Sequence, residues 1–330
     1  MFKVLVKITF SGGLIWWLVS QSNPERLVKN MMAVDPWGFL LAVVILGSLS
    51  MAQAWRWSLV VRAIGKFIRY GDALQNVLIG IFFNQLLPSS IGGDAVRVWR
   101  TYRLGLGVVP AAHSVMLDRL LALLALALMA VVGMPVIFDL FGDRPERWAG
   151  LIFVCGVLTA FGMLLMFDRI PEKVKKWRLL GAIANLSADS RHVFLNFSTA
   201  LPAVMISVCI HVSVALTVYI IGQAMALPVS ALDCIILVPL VMLFSMLPVS
   251  VAGWGLREGA MVTVFAFVDI GYDEAFALSV LFGLAIMLSA VPGGVLWVIC
   301  GGKQSEGVAG VETVSEILQE EETAQQDGPV

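Results

Sequence analysis

The sequence predicts an all-α, polytopic integral membrane protein with about six spanning helices and two re-entrant segments. Three observations lead there. Apolar residues make up 59% of the 330 and charged residues only 14%, with a mean hydropathy of +0.90. A soluble domain carries roughly 25% charged and about 45–50% apolar residues. The apolar excess falls in separate stretches close to the roughly 20 residues that a helix needs to cross about 30 Å of hydrocarbon. Finally, uniform runs such as Leu120–Val132 lack period-two alternation. Lipid demands internally satisfied backbone, and without that alternation helices are predicted rather than a barrel.

The first predicted span covers 4–20, after Lys3 and Lys7. No small-x-small cleavage site precedes Gln21-Ser22-Asn23-Pro24, so it is read as a retained helix rather than a signal peptide. Further spans follow at 37–55, 109–136, 149–167, 198–222 and 275–300, with Trp16, Trp17, Trp37, Trp55, Trp57, Trp148 and Trp297 near their ends, where indole rings favour the interface. Segments 74–92 and 232–252 each end in a Pro-Ser-Gly cluster that would break a helix at membrane depth. With both treated as re-entrant, 16 basic residues fall inside and five outside. If both crossed fully, the loop carrying Arg169, Lys173, Lys175, Lys176, Arg178 and Arg191 would be exported, against the positive-inside bias. Both termini are therefore expected in the cytoplasm of a bacterial inner membrane.

Residues 1–302 form a single expected transmembrane domain with inverted halves at roughly 37–136 and 198–300; 303–330 form an acidic, disordered cytoplasmic tail. That tail holds seven acids against Lys303, leaving 21 basic and 16 acidic residues in 1–302. The basic residues lie in short loops, so no nucleic-acid partner is indicated. Cys155, Cys209, Cys234 and Cys300 are widely separated in apolar runs and read as small core residues. No metal or other cofactor is indicated.

The most informative pattern is a repeat at a spacing of 160 residues. Leu87-Pro88-Ser89-Ser90-Ile91-Gly92-Gly93-Asp94-Ala95-Val96-Arg97 aligns with Leu247-Pro248-Val249-Ser250-Val251-Ala252-Gly253-Trp254-Gly255-Leu256-Arg257. The expected topology brings one copy in from each face, making an inverted repeat of the kind that holds substrate near the bilayer midplane. Pro88, Gly92, Gly93, Pro248, Gly253 and Gly255 are the expected loop-forming residues, and the two loops are expected to enclose one wet, cationic chamber.

Charges inside such a domain are costly, at roughly 2.5–3.5 kcal/mol each at a helix centre on insertion scales, and they need partners. Asp118 and Arg119 lie well inside a predicted span. Asp118 is a candidate partner for Arg97 or Arg257, and Arg119 for a lipid phosphate. Arg97 and Arg257 follow the two glycine turns, accompanied by Asp94 and Glu258. A planar guanidinium suits phosphate because it donates two parallel hydrogen bonds. The predicted substrate-binding set is thus Asp94, Arg97, Asp118, Arg119, Arg257 and Glu258, a structural ion pair being the competing reading. His211 is read as hydrogen-bonded packing, Asn84 and Gln85 as chamber lining, and the loop Arg169–Arg191 (within 168–197) as a solvated surface near anionic lipid headgroups. Walker A, His-Glu-x-x-His, Gly-x-Ser-x-Gly and Gly-x-Gly-x-x-Gly motifs are absent.

Leu87-Pro88…Gly92-Gly93-Asp94…Arg97, then Ser114-Val115…Asp118-Arg119, resembles the lysylphosphatidylglycerol synthase transmembrane-domain, or flippase-like, family. Leu247-Pro248…Gly253…Gly255…Arg257-Glu258-Gly259 also fits its pattern, and the likeness covers about 1–302. The resemblance implies a membrane unit that moves lipid between leaflets. The soluble aminoacyl-transferase domain of larger members is missing, so lysyl transfer is not implied. A translocator of an anionic phospholipid or lipid-linked headgroup is expected. The alternatives are a membrane enzyme using Asp94 or Asp118 as acid/base, and an accessory partner of a glycosyltransferase or lipid-modifying enzyme in cell-envelope synthesis.

Overall fold

A helix apolar on every face has no side to offer water, so protein or lipid must surround it. The computed structural model describes residues 2–87, 92–142, 146–169, 178–246 and 250–301, which contain helices and no strand. Five helices are long and apolar enough to cross a bilayer, each overlapping one of the predicted spans. They are α3 (Pro36–Ala63), α6 (Val108–Phe141), α7 (Glu146–Met166), α9 (Phe197–Ala224) and α12 (Tyr272–Gly301). The stretch predicted as the first span is α1 (Phe2–Gln21), followed by the short α2 (Pro24–Met32). The chain is an integral membrane protein.

Local signals set the helix starts. Asp35 accepts from Gly38 N at 2.8 Å and Pro36 fills the first turn of α3, where a missing N–H costs nothing. Asn196 caps α9 in the same way. Ser230 and Asp233 form a reciprocal capping box at the start of α10 (Ala231–Ser245). Span α3 runs past its predicted end at 55 to Ala63, because Arg56 is an interior residue and not a loop cation.

The two odd segments are short helices followed by a return. At 1.5 Å per residue, α4 (Tyr70–Leu86) and α10 rise about 26 and about 22 Å, short of the roughly 30 Å core. Helix α5 (Gly92–Thr101) comes back along α4 antiparallel. Asn84 Oδ1 accepts from Gly93 N at 3.0 Å, Gly80 lies under the Arg97 side chain, and Arg100 Nε donates to Asn76 Oδ1 at 2.6 Å. A Cβ on Gly93 would stand 1.9 Å from the Gly80 carbonyl oxygen, so only glycine permits this approach. Gly92 and Gly93, predicted as loop residues, thus form the first turn of α5. In the second half, α10 packs on α11 (Leu256–Phe265), and the intervening turn uses Gly253 and Gly255 at φ of +80° and +90°. Pro88 and Pro248 lie outside the described residues.

Helices α3 and α9 pack antiparallel: Asp35 N donates to Ala224 O at 2.9 Å near one end, and Arg56 reaches Ser207 toward the other. Around this pair the contacts repeat in kind. Helix α3 packs on α4 as α9 does on α10; α5 on α6 as α11 does on α12; α4 on α12 as α10 does on α6; and α3 on α12 as α9 does on α6. Where α4 meets α12, a Cβ on Gly293 would stand 2.0 Å from the Leu78 carbonyl oxygen, the close approach that small residues permit between membrane helices. The main core gathers Ala130 and Met134 of α6, Ala215 and Val218 of α9, Leu237 and Val241 of α10, and Phe265 of α11. The expected surface loop 168–197 instead contains α8 (Arg178–Phe194), because Leu186, Ser190 and Val193 recur on one helical face and bury it. His113 of α6 meets Asp189 of α8 at 2.5 Å.

Candidate functional site

Two clusters of buried charge occupy corresponding places in the halves. The larger centres on Asp118, which is fully buried on α6. Its Oδ1 accepts from Arg56 Nε at 2.8 Å and its Oδ2 from Arg97 Nη2 at 3.2 Å, so α6 is pinned to α3 and α5 at one carboxylate. Arg56 Nη1 also donates to Ser207 Oγ of α9 at 3.0 Å. The Arg97 guanidinium stacks 4.6 Å from the Trp57 ring centroid, while the Trp57 indole N–H donates to Ser114. Asp94 sits 3.6 Å from Arg97 Nη1 and accepts two bonds from Arg119, at 2.8 and 3.1 Å.

These five residues hold three guanidiniums against two carboxylates, an excess of one positive charge. Arg56 and Arg97 are 3% and 2% exposed, whereas the Arg119 side chain is 35% exposed. Arg97 Nε is buried and makes no hydrogen bond among the described residues. An orphaned donor in a buried, net-cationic cluster fits an anion better than a closed structural network.

The second cluster is balanced. Glu258 Oε1 accepts from Arg257 Nη2 at 2.6 Å and from Ser279 Oγ at 3.4 Å, and its Oε2 accepts from Gly255 N at 2.6 Å. The Arg257 guanidinium stacks on Trp254 at 4.7 Å and lies 5.9 Å from the Phe282 ring centroid. Gly283 leaves room for it, since a Cβ there would stand 2.2 Å from Arg257 Nη2. Arg97 and Arg257 thus share burial, a carboxylate and a tryptophan platform, but only the first has a surplus cation.

The structure brings Asp94, Arg97, Asp118 and Arg119 together and sets Arg257 and Glu258 apart. It pairs Asp118 with Arg97 and not Arg257, and gives Arg119 to Asp94 where a lipid phosphate was expected. The expected single chamber between Arg97 and Arg257 is replaced, among the described residues, by two charge clusters with a mostly apolar cavity of about 290 Å³ between them. Helices α3, α4, α6, α9, α10 and α12 all line it. His211, four residues after Ser207 on α9, lines one side and donates from Nε2 to Ala122 O at 3.1 Å; Phe282 lines the other. Asn84 caps α5, as described above. Arg56, Trp57, Ser207 and Ser279 were missed by sequence reasoning. The readable signal was the apolar run Leu59-Val60-Val61 after Arg56, which carries the helix past the charge.

Comparison with known proteins gives the same picture of the chain. A UPF0104 membrane protein of Methanothermobacter thermautotrophicus is 22% identical over 287 residues, covering 78% of this chain and 83% of that protein. One from Methanocaldococcus jannaschii is 25% identical over 221 residues, covering 64% and 90% respectively. One from Pyrococcus horikoshii is 30% identical over 96 residues, covering 29% and 28%. The family described as Lysylphosphatidylglycerol synthase TM region matches residues 4–294. The chain belongs to that family.

Proposed function

We propose that this protein moves an anionic lipid between leaflets, with the phosphate received by the cluster of Arg56, Arg97 and Arg119 and with Asp94 and Asp118 orienting the guanidiniums. The observation that carries the reading is the surplus buried cation with the unbonded Arg97 Nε, open toward the surface through Arg119. An anion there would satisfy the donor and neutralise the charge. The fold gives support. Two helical hairpins too short to span, built on antiparallel partners α3 and α9 with matching contacts, fit an inverted repeat whose halves exchange access to a site between them. In this reading the membrane is a bacterial inner membrane with both termini cytoplasmic.

Asp94 and Asp118 are each committed to two guanidiniums, which favours binding over acid/base catalysis. The drive would come from the lipid gradient or the membrane potential, worth about 2.3 kcal/mol per charge per 100 mV. The test is leaflet exchange of acyl-labelled phosphatidylglycerol in vesicles holding the purified protein. Arg119→Gln, at a partly exposed position, is expected to slow exchange about tenfold, the size of one charge-assisted hydrogen bond. Exchange at the unaltered rate by this variant and by Arg97→Lys defeats the proposal.

A further inference from the structure

We infer that the central cavity receives an uncharged, hydroxyl-bearing headgroup, a glycerol or a single sugar, carried by the lipid whose phosphate sits at the Arg56–Arg97–Arg119 cluster. This rests on the lipid-handling reading above and names its substrate class. The first argument is hydrogen-bonding capacity. Three serines line the cavity, and each spends its proton on its own helix: Ser50 on Gly47 O, Ser245 on Val241 O and Ser289 on Ile286 O, all at 2.7 Å. Their oxygens remain able to accept. His211 has committed Nε2–H to Ala122 O, so in the neutral ring Nδ1 is left as an acceptor. Among the described residues Gln53 lines the cavity and makes no side-chain hydrogen bond, offering an amide NH2 with two N–H donors and a carbonyl oxygen acceptor. The lining is therefore rich in acceptors and poor in donors, the complement of a group bearing several O–H donors.

Charge decides between hydroxyl and ammonium donors. Among the described residues no carboxylate lines the cavity. Arg56 is bonded to Ser207, one helical turn from the cavity-lining His211, and its cluster is net positive. A cationic headgroup would enter low-dielectric space beside that charge with no counter-ion, which is costly. Lysylphosphatidylglycerol, the lipid named in the family's description, is thus a poor fit for this chain.

Size and position agree. At about 30 Å³ per water, 290 Å³ corresponds to roughly ten water volumes, enough for a glycerol or one sugar ring but not a whole phospholipid. His211 stands one helical turn from Ser207, the residue bonded to Arg56, so a headgroup could reach the cavity while its phosphate stays at the cluster. Leu46, Leu126 and Met242 are among the apolar residues of the rest of the wall, against which C–H faces of a polyol would pack.

The experiment is a binding titration of the purified full-length protein in detergent, read by native mass spectrometry. The probes are phosphatidylglycerol, phosphatidylmethanol (equal charge, no polyol), lysylphosphatidylglycerol and free glycerol phosphate. Phosphatidylglycerol is expected to bind about tenfold tighter than phosphatidylmethanol and tighter than the lysyl lipid. Glycerol phosphate is expected not to compete. Gln53→Leu should erase the preference for phosphatidylglycerol and leave phosphatidylmethanol unchanged, which also reports that the variant is folded. Ser289→Ala serves if it is not. Equal affinity for the three lipids, strongest binding of the lysyl lipid, an unchanged preference in Gln53→Leu, or full competition by glycerol phosphate each overturns the inference. Flat lipid ranking with intact leaflet exchange would remove this site and leave transport standing. Ranked binding without exchange would do the reverse.

Discussion

At the residue scale, one carboxylate organises the first half. Asp118 has no exposed surface, so its charge is held by Arg56 and Arg97 alone among the described side chains. Removing one member of a buried pair leaves an uncompensated charge, at a cost of about 3–5 kcal/mol. Arg56→Met is accordingly expected to lower thermal stability sharply in detergent. Arg56→Lys should recover part of the loss, because it keeps the charge but not the second bond to Ser207. Unfolding curves of the purified variants decide this, and a stability of Arg56→Met equal to the parent would refute it. This residue also marks where sequence reading stopped short. A cation after a tryptophan at the end of an apolar run looks like a flanking loop residue, and only three-dimensional packing supplies the acid 62 positions away. Asp118, Arg119, Arg97 and Asp94 were legible because charge is scarce in their surroundings. Which pairs with which was not, since adjacent helical positions point about 100° apart and their partners lie on other elements.

At the element scale, the short hairpin of α4 and α5 depends on close backbone approach. Gly93→Ala would press a methyl group into the Gly80 carbonyl, and the helices must separate to accept it. Overpacking of this kind costs about 1–3 kcal/mol, and here it also displaces Arg97, which lies over Gly80. The expected outcome is a lower melting temperature together with slowed lipid exchange. Gly150→Ala, where no heavy atom lies within 4 Å of the added carbon, is the control expected to change neither. The five helices long and apolar enough to cross a bilayer were legible as long, mostly uncharged stretches, and α4 and α10 as shorter ones that end in a Pro-Ser-Gly cluster. The role of Gly92 and Gly93 was misread for a physical reason. Glycine serves both turns and tight helix contacts, and a sequence does not say which. Helix α8 was hidden because its buried face mixes serine with Leu186 and Val193, so the segment looks polar when averaged.

At the scale of the whole molecule, α3 and α9 run in opposite directions, and α4, α6 and α12 packed on α3 have counterparts in α10, α12 and α6 packed on α9, while α8 touches both. An axis relating such halves lies in the membrane plane, so the hairpin starts at Tyr70 and Ser230 are expected on opposite faces. Single cysteines at these two exposed positions, in a background lacking the four native ones, test this with a membrane-impermeant thiol reagent. The expected result is that intact cells label Ser230→Cys only, and inverted vesicles Tyr70→Cys only. Labelling of both from one face would rule out the inverted arrangement. The 160-residue periodicity suggests a duplication in the sequence, and its inverted orientation is inferred from counting basic loop residues. The contacts between α3 and α9 now give an independent argument.

The matching contacts of the two halves differ in one respect: the cluster around Asp118 carries a surplus positive charge, and its counterpart around Glu258 is neutral. A frame with matched halves would by itself favour neither direction of traffic. If the protein carries an anionic lipid as proposed, unequal charge on the two sides would give that anion a deeper well near one mouth than near the other, and the ease of leaving would differ in proportion. The molecule would then behave as a rectifier, its bias set by a few side chains while the backbone stays even-handed.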